Sequence, residues 1–357
     1  MYKLETVLKD IGSQRGFIEN FLVMDVPNEK RLKVFDLELF DEKWELVHDS
    51  HSYNIYKDNI IAGNLSFYNT NKELLYSNPF DYKLNISSHN EEGASVLRQV
   101  LKWEKIGTKF NFTFQHHIFN LNTKEFIKQN ILNLPGGVVF IKSSLLVLRA
   151  KEGRLIIYDY ELDKIVWERD FSEECAYIDP IRVKETWRKG EIGQIYQYAD
   201  DKLIITAGKY HTFCLDLKTG EQLWTLGFTA TFILTGDEAF AYTNGGSIAK
   251  IDLKTGEILN SNGKFHKLPD LPQVSHERLG DIHISAHGSE MIYHDNSLWY
   301  LVHSNGYSFV VKINPDTFAY EWIHQVDTVE EIRDIKFYKD RMYLYDLGYQ
   351  LHVYTKQ

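Results

Sequence analysis

Five histidines crowd one stretch of the chain: His266, His276, His283, His287 and His294. In Asp281-Ile282-His283-Ile284-Ser285-Ala286-His287 two imidazoles stand four residues apart, the spacing at which a helix presents a pair of zinc ligands. Ile282 and Ile284 alternate as in a strand, where residues four apart also share a face. No cysteine or placed carboxylate completes a tetrahedral set. These side chains, and His116-His117, therefore read as ordinary surface histidines, and no metal is expected. Nucleophilic chemistry has less support still. There is no Gly-x-Ser-x-Gly elbow, no Walker loop and no His-Glu-x-x-His pair. Cys175 and Cys214 cannot build a disulfide framework, and no Cys-x-x-Cys motif occurs. Asn244-Gly245-Gly246-Ser247 reads as a hairpin turn, not a phosphate cradle. No catalytic residue and no cofactor is expected.

Binding chemistry is better represented. Trp187-Arg188-Lys189 sets an indole beside two cations, and Trp and Arg dominate interface hot spots. Glu173, Glu174 and Asp179 share that segment, 171–193, which holds five acids and four bases. Two further segments are as long: 79–94, with Asp81, Glu91 and Glu92, and 260–289, with His276, Asp281, His283 and His287. Long connections carry recognition without disturbing a core. These residues are the candidate partner contacts.

The elements that must position them repeat. Trp44, Trp167, Trp224 and Trp322 each stand eight residues after Asp36, Asp159, Asp216 or Asn314, which closes a strand-like run. Asn69, Asn120 and Asp252 keep the frame without the tryptophan. A recurring short motif means a recurring supersecondary unit. Around Asp216 the unit is explicit: Leu203-Ile204-Ile205-Thr206, then His211 to Asp216, the turn Lys218-Thr219-Gly220, and Gln222-Leu223-Trp224-Thr225. With Gln194 to Tyr198 upstream this makes four antiparallel strands, a to d, joined by short turns. Eight runs end as strand c does, near Asp36, Tyr68, Leu121, Asp159, Asp216, Asp252, Ile313 and Tyr354. The blade around Asn120 admits more than one parsing, so seven is the alternative count. The last unit stops after strand c, and Tyr2 to Leu8 can supply its missing d strand, closing a ring that leaves no open edge. The expected fold is all-β: one domain over 1–357, an eight-bladed β-propeller of four-stranded antiparallel blades. In such a ring every d-to-a connection emerges on one face, so the three long segments should rise together.

Asp216-Leu217-Lys218-Thr219-Gly220-Glu221-Gln222-Leu223-Trp224 resembles the repeat of the quinoprotein (PQQ-like) propellers, and Asp252 to Gly256 keeps its frame. The resemblance implies eight blades. It does not bring redox chemistry with it. Those dehydrogenases typically carry adjacent cysteines and a calcium set of Glu, Asn and Asp, and neither pattern is found. The outer-membrane assembly propellers share the repeat but are lipoproteins with a lipobox, which does not occur here.

Forty basic and fifty acidic residues give a formal charge of −10. That disfavours a general role on nucleic acid or anionic lipid and favours encounter with a basic protein. The first ten residues lack the apolar core of a signal peptide, and no run approaches the roughly 18 apolar residues of a membrane span. The expectation is a monomeric, cytoplasmic, non-enzymatic propeller that binds a protein, as a scaffold or an immunity protein. The alternative is a small-ligand or quinone-dependent enzyme using the central channel. That alternative requires charged side chains on the inner strands, yet Val138 to Ile141 and Thr231 to Leu234 are mainly apolar.

Overall fold

The computed structural model describes residues 2–9, 14–26, 31–47, 53–62, 64–80, 82–90, 92–106, 109–132, 134, 136–150, 153–179, 186–199, 201–243, 245–260, 262–276, 280–286 and 288–357. Every regular element among them is a strand. Blade I comprises Gln14–Ile18, Phe21–Val26, Arg31–Asp36 and Asp41–Val47; blade II comprises Tyr53–Tyr56, Asn59–Ala62, Ser66–Tyr68 and Leu74–Tyr76. Blade III is Asn85–His89, Ala94–Ile106, Lys109–Asn120 and Glu125–Leu132, and blade IV is Gly137–Lys142, Leu145–Arg149, Arg154–Asp159 and Lys164–Asp170. Blade V follows with Ile192–Tyr198, Lys202–Ala207, His211–Asp216 and Gln222–Leu226, then blade VI with Thr231–Thr235, Glu238–Thr243, Ser247–Asp252 and His266–Lys267. Blade VII holds Gly288–His294, Ser297–Ser304, Tyr307–Ile313 and Tyr320–Val326. Blade VIII takes its a, b and c strands from Ile332–Tyr338, Arg341–Asp346 and Leu351–Lys356, and its d strand is Tyr2–Leu8. Eight four-stranded antiparallel blades result. The terminal splice pairs Tyr2 with Lys356 and Leu8 with Leu351.

Alternating apolar residues on both faces of the b and c strands explain why the blades stack. A blade buries both faces only against two neighbours, and each of eight buried clusters spans one junction. The cluster of Tyr343, Val353, Leu22 and Met24 joins blade VIII to blade I, so the ring is closed by packing as well as by hydrogen bonds. The a strands of adjacent blades approach one another and line the axis.

The repeat motif works across blades. Its Asx side chain accepts hydrogen bonds from backbone amides two and three residues on, as at Asp36, Asn120, Asp159, Asp216, Asp252 and Asn314. Burial alone would raise the Asp216 carboxyl, but donation by Thr219 and the Lys218 amide more than offsets it and holds it low. Four residues on, the chain turns left-handed: Phe40, Lys124, Asp163, Gly220, Gly256 and Phe318 all have φ between 54° and 78°. The tryptophan then reaches the next blade. Trp44 Nε1 donates to the Thr70 carbonyl at 2.8 Å, Trp167 to Leu217 at 2.8 Å, and Trp224 to Leu253 at 2.9 Å. Each acceptor directly follows the Asx residue of the following blade. Gly220 and Gly256 lie flat on the rings of Trp167 and Trp224, where a Cβ would come within 2.8 and 2.9 Å of an indole carbon. The motif glycine is therefore needed for its φ and for its neighbour's ring.

Where the tryptophan is missing, other groups take over. Lys128, eight residues after Asn120, donates its ammonium to the Tyr160 carbonyl, again the residue after the Asx. At the closing junction Arg341 donates to the Leu37 carbonyl at 2.5 Å and lies 4.7 Å from the Phe40 ring centroid. Two further bonds from Arg341, at 2.9 and 3.0 Å, grip both carboxylate oxygens of Glu5 on the spliced strand. Blade VI has Asn260 at the tryptophan position, and blade VII answers with Phe318 at the glycine position, its ring buried in their shared cluster. Trp322 packs instead against Trp299 and Tyr2, at centroid distances of 5.9 and 6.3 Å.

Three details differ from the sequence expectation. Segment 79–94 is not one loop: Asn85–His89 within it is the inner strand of blade III, pairing Asn85 with Arg98. Ile86 is its one apolar residue, so it lacks the apolar signature of its counterparts. The d strand of blade VI forms at His266–Lys267, not directly after Asp252; the stretch after the turn contributes only the Ile251–Ile258 bridge. Finally, His116 and His117 are buried on the c strand of blade III, not on the surface.

Candidate binding face

Strand direction alternates within a blade, so d-to-a and b-to-c connections share one face while a-to-b and c-to-d turns share the other. Two of the long connections raise hairpins on the d-to-a face: Tyr177–Asp179 with Thr186–Arg188 between blades IV and V, and Leu271–His276 with Gly280–Ile284 between blades VI and VII. The first has a fixed root. Phe171 is fully buried, the Gly190 amide donates to the Ser172 carbonyl at 2.7 Å, and the Gly208 amide to Glu191 at 2.8 Å. Arg169 lies over the rings of Phe171 and Phe213, at 4.8 and 5.1 Å, and donates to both carboxylate oxygens of Glu174. Glu174 thus ties the insertion down. Beyond this root two apolar side chains stand in solvent. Ile178 and Trp187 are directly opposed in register and so share one face. Trp187 is 71% exposed and Ile178 39%.

The second hairpin is tied down by its own polar groups. Leu271, Ile284 and Ala286 are buried, and the Tyr320 hydroxyl donates to the Pro269 carbonyl at 2.5 Å. His283 Nε2 pairs with Asp270 Oδ2 at 2.9 Å, and Asp281 accepts a hydrogen bond from Ser275 at 2.6 Å. Among the described residues no group of three His, Cys, Asp or Glu side chains could hold a metal ion.

A third feature of this face escaped the sequence reading. The b and c strands of blade III, Ala94–Ile106 and Lys109–Asn120, outrun their neighbours. Strand a pairs only as far as Arg98 and strand d begins pairing at Gln115. The ribbon past that point takes in residues 99–106 and 109–114, roughly 20–25 Å at 3.3 Å per residue. Val100 and Leu101 are exposed on it. The signal was the absence of any Gly, Pro, Asn or Asp between Ala94 and Ile106, a run longer than one blade strand needs. The same face carries exposed Tyr210 and Tyr349 on b-to-c turns and Val329, 80% exposed, on a d-to-a connection.

The remaining expected contacts divide as follows. Glu173, Glu174, Trp187, Arg188, Asp281 and His283 all lie on the d-to-a face. Glu92 does not: it sits in the a-to-b turn of blade III, 3.8 Å from Lys142, on the opposite face. Asp179 and His276 are placed on their strands by backbone alone. Asp81, Glu91 and His287 lie outside the described residues.

The architecture defines an eight-bladed β-propeller of quinoprotein-like repeats. The chain belongs to the family described as outer membrane protein assembly factor BamB, whose model matches residues 86–263 and again 176–335. The sequence set those propellers aside for want of a lipobox, a feature of a leader segment that the repeat does not include. Among curated proteins none matches the chain. Among solved structures, the computationally designed Ika8 protein superposes with a TM-score of 0.58 at 11% identity, covering 99% of this chain and 98% of its own. BamB from Moraxella catarrhalis gives 0.47 at 10% identity over 99% and 100%. The Cps50 (Swd1) β-propeller domain of Myceliophteria thermophila gives 0.49 at 11% over 100% of both chains.

Proposed function

We propose that this protein is a non-enzymatic binding propeller that engages a protein partner through its d-to-a face, with Trp187 and Ile178 as the central anchor. The observation that carries this reading is the pairing of Tyr177–Asp179 with Thr186–Arg188: a cross-strand apolar pair held in solvent on a root that is itself buried and hydrogen-bonded. A large exposed indole on a pre-ordered support loses little entropy on binding, the property shared by interface anchors. The blade III ribbon and Val329 extend the apolar contacts across the same face. A net charge of −10 favours a basic partner, consistent with a scaffold or immunity role in a reducing cytoplasm where Cys175 and Cys214 stay as thiols.

The test is affinity capture from the native organism with the parent chain and with Trp187→Ser/Ile178→Ser, alongside cell fractionation. A stoichiometric protein recovered by the parent and lost from the double variant supports the reading. Equal recovery by both chains moves the interface elsewhere.

A further inference from the structure

Strand d of blade VIII is held differently from its counterparts. In blades I to VII strand d follows strand c along the chain, but Tyr2–Leu8 and Leu351–Lys356 come from opposite ends of the sequence, so no turn joins one to the other. Burial does not make up for the missing turn, since none of the strand's side chains is fully enclosed. Tyr2 reaches the cluster between blades VII and VIII and Leu8 the cluster between VIII and I, while Lys3, Leu4 and Glu5 are exposed. Few buried apolar contacts mark an element that opens on its own.

The bulge position supplies a hold instead. Strand d of blades II to V carries one extra residue against strand c, at Leu75, Ile127, Val166 and Leu223, and each of these is exposed. In blade VIII the extra residue is Glu5. Its carboxylate accepts both bonds from Arg341 on strand b and a third, at 2.5 Å, from Thr355 Oγ1 on strand c. One side chain thus ties the spliced strand to two others of its blade. Blade VII also has a charged bulge, Glu321 paired with Lys312 at 2.8 Å, but there the Asn314 turn already joins strand d to strand c.

We propose that Tyr2–Leu8 is a strap that lifts from blade VIII while the ring stays shut, with Glu5 as its latch. The seam with blade I does not depend on the strap. Arg341 keeps the Leu37 carbonyl and the Phe40 ring once Glu5 has gone, and Leu22 and Met24 stay packed with Tyr343 and Val353. Lifting turns Leu351–Lys356 into an open edge strand.

Hydrogen–deuterium exchange of the full chain, read by mass spectrometry strand by strand, tests the proposal. In the parent, Tyr2–Leu8 and its partner Leu351–Lys356 should exchange faster than Tyr320–Val326, the strand d of blade VII. Glu5→Gln should speed exchange in those two segments by roughly tenfold or more, the scale of losing charge-assisted hydrogen bonds. Arg341–Asp346 and Phe21–Val26 should keep the parent's protection. Thr355→Val, which removes one bond of the three, should act on the same two segments by less. Glu321→Gln, the same change at the bulge of blade VII, should leave Tyr320–Val326 as in the parent. Unchanged exchange of the two segments in both Glu5→Gln and Thr355→Val would overturn the latch. Equal acceleration in every blade would overturn the strap, because Glu5 would then act on the whole ring. Acceleration of Tyr320–Val326 in Glu321→Gln as large as that in Glu5→Gln would overturn the role given to the missing turn.

Discussion

The contact between Gly256 and Trp224 can be tested as a double-mutant cycle. Trp224→Ala removes a ring that is 92% shielded from solvent, given its 8% exposure, together with the hydrogen bond to the Leu253 carbonyl. Burying an indole removes about 200 Å² from water, worth about 5 kcal/mol at 25 cal/mol/Å². Large-to-small core substitutions of this kind cost about 3–5 kcal/mol. Gly256→Ala in the parent meets two penalties. The left-handed backbone, at φ of 78°, costs an alanine about 1–2 kcal/mol. The new methyl would lie 2.9 and 3.0 Å from two carbons of the Trp224 ring, an overpacking cost of about 1–3 kcal/mol. With Trp224→Ala in place only the backbone penalty survives. The double variant should therefore be about 1–3 kcal/mol more stable than the sum of the singles predicts. Denaturant melts followed by far-UV circular dichroism read each value from the midpoint and slope. Additivity within about 0.5 kcal/mol, or a loss below about 1 kcal/mol for Trp224→Ala, would refute the inter-blade wedge.

Further expectations concern the ring's closure, its buried titratable groups and its exposed anchor. Deleting Tyr2 to Leu8 should lower the melting temperature of the whole ring, because the deletion removes a complete d strand; an unchanged melt would show that the splice contributes nothing. Desolvation first, then the charges of Arg98 and His117, push the His116 imidazole down to about 4. With the unfolded value near 6.5, its contribution is intact above that pH and is lost as pH falls from about 6.5 toward 4, a total of about 3 kcal/mol. His116→Leu should flatten that part of the pH–stability profile, and a profile identical to the parent would refute the assignment. Burial raises the Cys175 and Cys214 thiols to about 11 and about 12, so both should resist iodoacetamide at pH 8 until the chain unfolds. Trp187→Ser should leave the denaturation midpoint within about 0.5 kcal/mol of the parent while abolishing capture of a partner, since a ring that is 71% exposed supports little of the fold.

Architecture was legible in this chain because the frame from Asx to tryptophan is local. Eight residues contain the c strand's end, its turn and the first half of strand d, and physics within that window fixes all three. The blade count and the splice followed from it. What failed was decided by residues far away in sequence. Asn85–His89 is a strand because Ala94–Ile106 offers it a partner, and its own polar alternation carries no hint of an inner position. His116 and His117 are buried because the neighbouring strands of blade III, with Phe114, Phe126 and Tyr82 around them, close over both rings. Lys128 and Arg341 substitute for tryptophan N–H groups, which no local pattern reveals, since their acceptors are 32 and 304 residues distant.

The wedge between blades also bears on how such a ring can diverge. A duplicated unit does not drift alone, because half of each joint belongs to the unit before it. Blade VI carries Asn260 where other units carry an indole, and the following unit carries Phe318 at the glycine position, its ring buried in the cluster the two blades share. Lys128 and Tyr160 form another such matched pair, and Arg341 with Leu37 and Phe40 a third. Grafting blade V from a relative without its successor would separate Trp224 from Gly256 and place mismatched halves against each other. The inherited module is thus the seam, offset by half a blade from the visible repeat, and recombination within this chain should be tolerated in mid-blade sooner than at blade borders.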